Sequence, residues 1–422
     1  MKSFSPSQLY AGAQVPGGAT FQSHGRQCVR TSAGYFYTFI HRQSTPTASV
    51  ALWASLWFSP NGVDQFSLID QFGPYSGGAP CVVADGLNCV YWGISNTATS
   101  TLTIRKYNPD LTLQTQANHV GLTSTKWTMM FCEFWGLGSI FTFSFNNNKF
   151  AIMNRDLSLY DSYQLTQNGP TSGVQYPWLA KSRPYIAAGW LTSGVTSTYD
   201  GIRLAALNSL NGHRTHWFNP NGGAPLALPI VADGAGPIQS LRQSFTPAGD
   251  SVWLGSMTLT HGDRIHATYS DPNGPAPITQ TEVCYEGGVR QFFHDNALQG
   301  GATSKVGGAT LTIQERRGSS SGYFKGGDGN LYLVGPSLEA DADGLNWLNV
   351  LKSTDDGATW ADFAQSDRTF NFYGINIMRE GLEAADGTWT YGDDIVGVFT
   401  HITTPGLDCP QQVFTIKVPL AA

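Results

Sequence analysis

The chain has 422 residues, of which 41% are apolar and only 13% charged, and its formal net charge is −6. That charged share is about half the average for globular proteins. No basic run and no apolar stretch of membrane-spanning length occurs, which argues against broad nucleic-acid binding and against a helical membrane span.

The N-terminal MKSFSPSQLYAGAQVPGG has one lysine and no apolar centre, so it does not read as a secretory signal. Downstream, one pattern recurs: a short apolar strand, a tight glycine turn, then a second apolar or aromatic strand. The copies lie around Gly34, Gly86, Gly138, Gly189, Gly249, Gly329 and Gly387, spaced 52, 52, 51, 60, 80 and 58 residues apart. Their A-G, D-G and G-D pairs are expected to supply the positive φ of tight hairpins. A second hairpin alternates with the first, with turns rich in Ser, Asn, Asp and Pro. These turns begin near Ser59, Tyr107, Asn154, Asn208, Ser270 and Ser353.

Two hairpins per period of about 50 residues make one four-stranded antiparallel sheet per repeat, which is a propeller blade. No helical periodicity of useful length appears. The expected fold is all-β, a single seven-bladed β-propeller filling residues 1–422. The blades fall near 26–73, 78–121, 127–168, 176–222, 238–286, 321–366 and 377–422, with an insertion loop at 285–321. The last copy lacks an obvious fourth strand, and an N-terminal segment around Ala19 to Gln22 is expected to supply it. A lectin-like sandwich over residues 30–210 is the competing reading, and the regular step argues against it.

Six cysteines occur, at positions 28, 81, 89, 132, 284 and 409, with no CxxC pair. Cys28, Cys81 and Cys132 recur at one repeat position. They read as buried free thiols, with a Cys81–Cys89 bridge as the alternative.

Residues 353–360, STDDGATW, carry Ser353, Asp355, Gly357, Thr359 and Trp360 at the spacing S-x-D-x-G-x-T-W. This resembles the Asp box (BNR repeat) of sialidase-like β-propellers. SDPNGPAP and FSPNGVDQF look like degenerate copies. The resemblance implies a structural turn between the third and fourth strands, on the face opposite a ligand site. It also implies a family of sialidases, other glycosidases, polysaccharide lyases and non-enzymatic binders, so the fold leaves function open.

A propeller site would lie where the strand 2–3 and strand 4–1 loops converge. The residues assigned to that face supply candidate bases in His41, His119, His261, His294 and Tyr373. Arg183, Arg242 and Arg379 are candidate carboxylate clamps, and Tyr176, Trp178 and Tyr199 candidate sugar platforms. Arg368 and His401 fall on the same face. β-Elimination beside a uronate needs a base and a cation on the carboxylate. The first expectation is a glycan-recognising surface protein, such as a phage tail or receptor-binding component. Low charge and Gly-rich strands fit an extracellular or virion setting, with a glycan and other virion proteins as partners. The alternative is a polysaccharide lyase, or less favourably a sialidase or other hydrolase, acting on an acidic polysaccharide. The early Arg-Ile-Pro signature of sialidases is missing. No cofactor is expected beyond a weak Ca²⁺ site at Asp341 and Asp343.

Overall fold

The computed structural model describes residues 1–12, 20, 25–42, 52–136, 138–145, 148–167, 172–183, 185–194, 201–208, 217, 225–231, 239–243, 253–259, 265–270, 281–284, 313, 322–357, 359–384, 386, 388–402 and 411–421. Among the described residues there is no helix.

Antiparallel sheets follow one another along the chain. Cys28–Arg30, Tyr35–Arg42, Leu52–Ser59 and Ser67–Tyr75 form the first, in that spatial order. Cys81–Ala84, Val90–Asn96, Thr101–Tyr107 and Leu113–Val120 form the second. The third holds Trp127–Cys132, Ser139–Ser144, Lys149–Asn154 and Leu159–Gln164. The fourth holds Ser172–Ser182, Tyr185–Gly194, Gly201–Asn208 and Gln239–Gln243. Trp253–Leu259, Ile265–Ser270 and Thr281–Cys284 make a three-stranded sheet. Gly322–Lys325, Leu331–Ala340, Asn346–Ser353 and Ala361–Ser366 make the next. In the last, Phe372–Ile377, Asp394–Ile402 and Gln411–Pro419 are joined by Ser7–Gly12 from the other end of the chain.

Composition along each sheet explains its place. The first and second strands of the third sheet, WTMMFC and SIFTFS, are buried at every position. Strands covered on both faces read as continuous apolar runs. The fourth strand of the second sheet, LQTQANHV, is mostly exposed and polar. The core therefore lies between neighbouring sheets and thins toward their outer edges. Trp92, Trp127, Trp178, Trp190 and Trp217 are among its largest fully buried side chains.

Two features differ from the sequence expectation. The strand that completes the last sheet is Ser7–Gly12, antiparallel to Gln411–Pro419. Of the stretch around Ala19 to Gln22, only Thr20 is described, and its hydroxyl lies 2.7 Å from that of Thr400. The second difference is Gln239–Gln243. The hairpin pattern around Gly249 puts it at the start of a repeat, yet it pairs with Gly201–Asn208. Lys2–Phe4 adds a parallel fifth strand to Ala361–Ser366.

The turns show which residues set local geometry. Gly34, Gly138 and Gly329 take positive φ as expected, whereas Gly189 lies inside the strand Tyr185–Gly194, opposite Trp178 and Leu204, and is not a turn residue. In the D-G turn at Asp85 the left-handed residue is Asn88, with φ 64°, not Gly86. Gly86 is needed for close approach instead: its N–H donates to the Glu133 carboxylate, and a Cβ there would meet Glu133 and the Glu383 carbonyl at 3.0 Å. At 353–360, Ser353 Oγ accepts the Gly357 N–H at 2.8 Å, and Asp355 Oδ1 accepts the Thr359 N–H at 2.8 Å. Thr359 Oγ1 donates to the other Asp355 oxygen at 2.6 Å. The turn after Ser59 repeats the arrangement, with Gly62 N–H donating to Ser59 Oγ at 2.8 Å and Asn61 in the place of the aspartate. Asp355→Ala removes acceptors shared by the backbone and Thr359. It is expected to lower stability by about 1 kcal/mol in urea denaturation, with ligand binding unchanged.

Candidate functional site

The strands leave two ends to consider. One carries the turns between first and second strands. The other carries the connections from second to third strand and from one sheet to the next.

The hairpin end contains a buried ionic network near the first strands. Arg26 Nη1 lies 2.6 Å from Glu380 Oε1, with the side chains 10% and 9% exposed. Lys181 Nζ lies 3.0 Å from Glu383 Oε2. Arg155 bridges Glu133 at 2.5 Å and Asp85 at 3.1 Å. Arg379 donates to the Leu179 carbonyl at 2.8 Å, and its guanidinium carbon sits 4.1 Å from the centre of the Trp178 ring. Lys181 and Lys325 both lie over the Trp389 ring, at 5.2 and 4.7 Å. Burial, then the like charge of Arg26, holds the Arg379 pKa well below its ordinary value. Burial also raises that of Glu133. Arg26, Glu133, Lys181, Arg379, Glu380 and Glu383 line a cavity of about 30 Å³. That volume has room for one or two waters and none for a sugar ring. A buried ionic network therefore fills this end.

The sequence-named residues spread over both ends and the core. Trp178 is 1% exposed and serves as packing for Arg379. Arg379 follows the inner strand Phe372–Ile377 and belongs to the buried network. Arg183 is exposed in the turn between Ser172–Ser182 and Tyr185–Gly194, at the hairpin end. His41 closes the second strand of the first sheet, at the loop end. It is buried, 5.9 Å from the Tyr10 ring, and its Nε2 lies 3.4 Å from Gln71 Nε2. His119 sits on the outer strand of the second sheet, opposite Leu102. Its Nε2 is buried without a hydrogen-bond partner, and burial lowers its pKa. Tyr176, Arg242 and Tyr373 lie in strands, but their side chains are outside the described residues. His261, His294 and Tyr199 are outside them altogether. Of the described candidates the structure brings together Trp178 and Arg379, inside the buried network, and none of the others.

Asp341 is a turn acceptor. Its Oδ1 takes the N–H groups of Asp343 at 3.0 Å and Leu345 at 2.9 Å, and its Oδ2 takes the Thr369 hydroxyl at 2.6 Å. Among the described residues no group of three His, Cys, Asp or Glu is placed to hold a metal. Cys28, Cys81, Cys89 and Cys132 are free and buried. Burial pushes the Cys28 and Cys81 thiols up to about 12, so neither is a nucleophile at neutral pH.

At the loop end the structure does assemble one polar pair beyond the named candidates. His401 closes the strand Asp394–Ile402, and its Nδ1 accepts the Asn371 N–H at 3.1 Å. The ring meets Phe370 edge-on at 5.5 Å and Phe414 at 6.1 Å. The Arg368 guanidinium lies over the same two rings, at 5.0 and 4.8 Å. Burial, together with the Arg368 charge, lowers the His401 pKa. The sequence put both residues on this face but gave no signal that they share an aromatic pair.

The architecture is all-β, with successive four-stranded antiparallel sheets as in a β-propeller. Among solved structures the chain is similar to an ulvan lyase of polysaccharide lyase family PL25. That match has a TM-score of 0.60 and 11% identity, over 98% of this chain and 96% of the lyase. The same lyase bound to -[GlcA(1-4)Rha3S]- gives 0.59 and 11%, with the same coverage. An α-L-arabinanase from Penicillium chrysogenum gives 0.44 and 10%, over 99% and 98% of the two chains. At such identity the likeness is one of fold. Neither a known family pattern nor a curated protein matches the chain in sequence.

Proposed function

We propose that the chain is a seven-bladed propeller that acts on an acidic polysaccharide from its loop end, by lyase chemistry. The observation that carries this reading is the end-to-end correspondence with a polysaccharide lyase. The ring itself is supported by contacts between first strands, sheet by sheet, from Cys28–Arg30 through Phe372–Ile377. Between the last sheet and the first, Gln27 N–H donates to Asn376 Oδ1 at 3.0 Å and Arg30 pairs with Asp394 at 2.8 Å. Membership of the Asp-box group belongs to the same proposal, supported by the turn at 353–360.

Elimination beside a uronate requires a neutral base. Among the described candidates His119 suits that role, because its Nε2 has no partner and its pKa is lowered. The buried network at the hairpin end, with a cavity of about 30 Å³, leaves entry of a glycan chain to the other side. The test is incubation with sulfated and unsulfated uronate polysaccharides. The expected result is ultraviolet absorbance from an unsaturated product, together with chain shortening. New reducing ends without absorbance would instead mean hydrolysis.

A second reading, a glycan-binding surface or virion protein without chemistry, is favoured by one observation. His41, one of the candidate bases, is packed beside Tyr10 rather than open to a ligand. Glycan binding with no depolymerisation would select that reading. Neither binding nor cleavage of any acidic glycan would sink both.

A further inference from the structure

We infer that Arg368 and His401 form a subsite for an anionic substituent, a carboxylate or a sulfate, on the bound glycan. The inference rests on the reading that the loop end is the glycan face.

Arg368 is exposed, yet its long side chain is held. Phe370 and Phe414 support its guanidinium at 5.0 and 4.8 Å, and Nη2 donates to the Pro6 carbonyl at 3.1 Å. A stacked guanidinium is positioned before a ligand arrives, and its remaining N–H donors match a planar or tetrahedral oxyanion. Among the described residues Arg368 makes no ion pair. The nearby carboxylates are already engaged by neutral donors: Ser5 Oγ donates to Asp367, and Thr369 Oγ1 donates to Asp341.

His401 completes the pair by its tautomer. Because Nδ1 accepts the Asn371 N–H, the neutral ring carries its proton on Nε2. The Asn371 carbonyl accepts the Ile402 N–H at 2.9 Å, which fixes that backbone from both sides. A ring so held offers a donor and no free lone pair. It therefore recognises an oxyanion and does not abstract a proton. Two donors against one aromatic pair, one of them cationic, define an anion subsite rather than a catalytic base.

The test follows the His401 titration by NMR in the full-length, 13C-histidine-labelled protein. Inorganic sulfate, a uronate oligosaccharide and a sulfated oligosaccharide are added separately. An anion beside the ring favours its charged form, so the midpoint should rise with the substituent that the subsite takes. The two oligosaccharides then distinguish carboxylate from sulfate. Arg368→Gln should abolish the rise and weaken binding of that oligosaccharide by roughly tenfold, while a neutral glycan binds as before. Arg368→Lys, which keeps the charge without the planar fork, should restore part of both. Melting curves of the variants report folding separately. A midpoint unmoved by all three anions overturns the subsite, as does Arg368→Gln binding equal to wild type. If sulfate moves the midpoint but no glycan binds, the subsite stands and the glycan reading falls.

Discussion

Removing residues 2–12 should lower the melting temperature by roughly 10 °C and make the protein prone to aggregation. These residues close two sheets from the far end of the chain. Ser7–Gly12 is the outer strand of the last sheet, and Lys2–Phe4 lies on the outer edge of the sheet before it. Phe4 and Leu9 are both buried in the core. Tyr10 packs on Phe39 and Trp57 at 5.6 and 5.9 Å. Lys2 Nζ also donates to the Ala421 carbonyl at 2.8 Å, and Asp367 N–H to the Phe4 carbonyl at 2.9 Å. Each buried large side chain contributes about 1.5–3 kcal/mol, and each hydrogen bond about 1 kcal/mol. Loss of the segment would also expose Gln411–Pro419 as a bare edge, a template for intermolecular pairing. The single change Phe4→Ala should cost about 3 kcal/mol. Thermal melts and light scattering of the two variants check this. An unchanged melting temperature in both would show that the N-terminal strands are not part of the cooperative unit.

Glu380→Gln should destabilise the protein by about 3–5 kcal/mol, the cost of leaving a buried cation without its partner. Arg26 would lose its 2.6 Å partner while its neighbour Arg379 stayed buried and positive. Replacing both ends, as in Arg26→Met with Glu380→Met, should cost much less than either single change, because no unpaired charge remains. The pH dependence has a definite sign. Burial raises the Glu380 pKa, but Arg26, Lys181 and Lys325 outweigh it and the folded value lies below the ordinary one. The pair therefore contributes in full above the unfolded carboxylate value, about 4.3. That contribution is lost as pH falls through the depressed folded value. Urea denaturation at neutral pH should show the full gap between wild type and Glu380→Gln, and the gap should shrink in acid. A gap that widened on acidification would mean that the carboxyl is held protonated in the fold.

Most of the secondary structure was written in local sequence. Apolar runs of strand length with glycine turns set two hairpins per repeat, and the STDDGATW turn closes on its own side chains. The cysteines at positions 28, 81 and 132 are buried as their apolar neighbours imply. Each of these depends on residues within about one hairpin, so a local reading captures them. The left-handed residue of the Asp85 turn was misassigned because Asn88 tolerates positive φ nearly as well as glycine.

The tertiary structure decided whatever depends on partners distant in sequence. Arg26 and Glu380, 354 positions apart, meet across the core, and no periodicity foretells such a pair. Which strand completes the last sheet is a competition between edges, and Ser7–Gly12 wins it by burying Leu9 while pairing with Gln411–Pro419. The end at which Arg183 and Arg379 emerge depends on strand direction and pairing. Polar composition alone cannot report that, because both ends of an antiparallel sheet carry polar turns. His401 and Arg368 look like ordinary loop residues in the sequence. They become a pair only because Phe370 and Phe414, distant in sequence, meet edge-to-face and contact both of them.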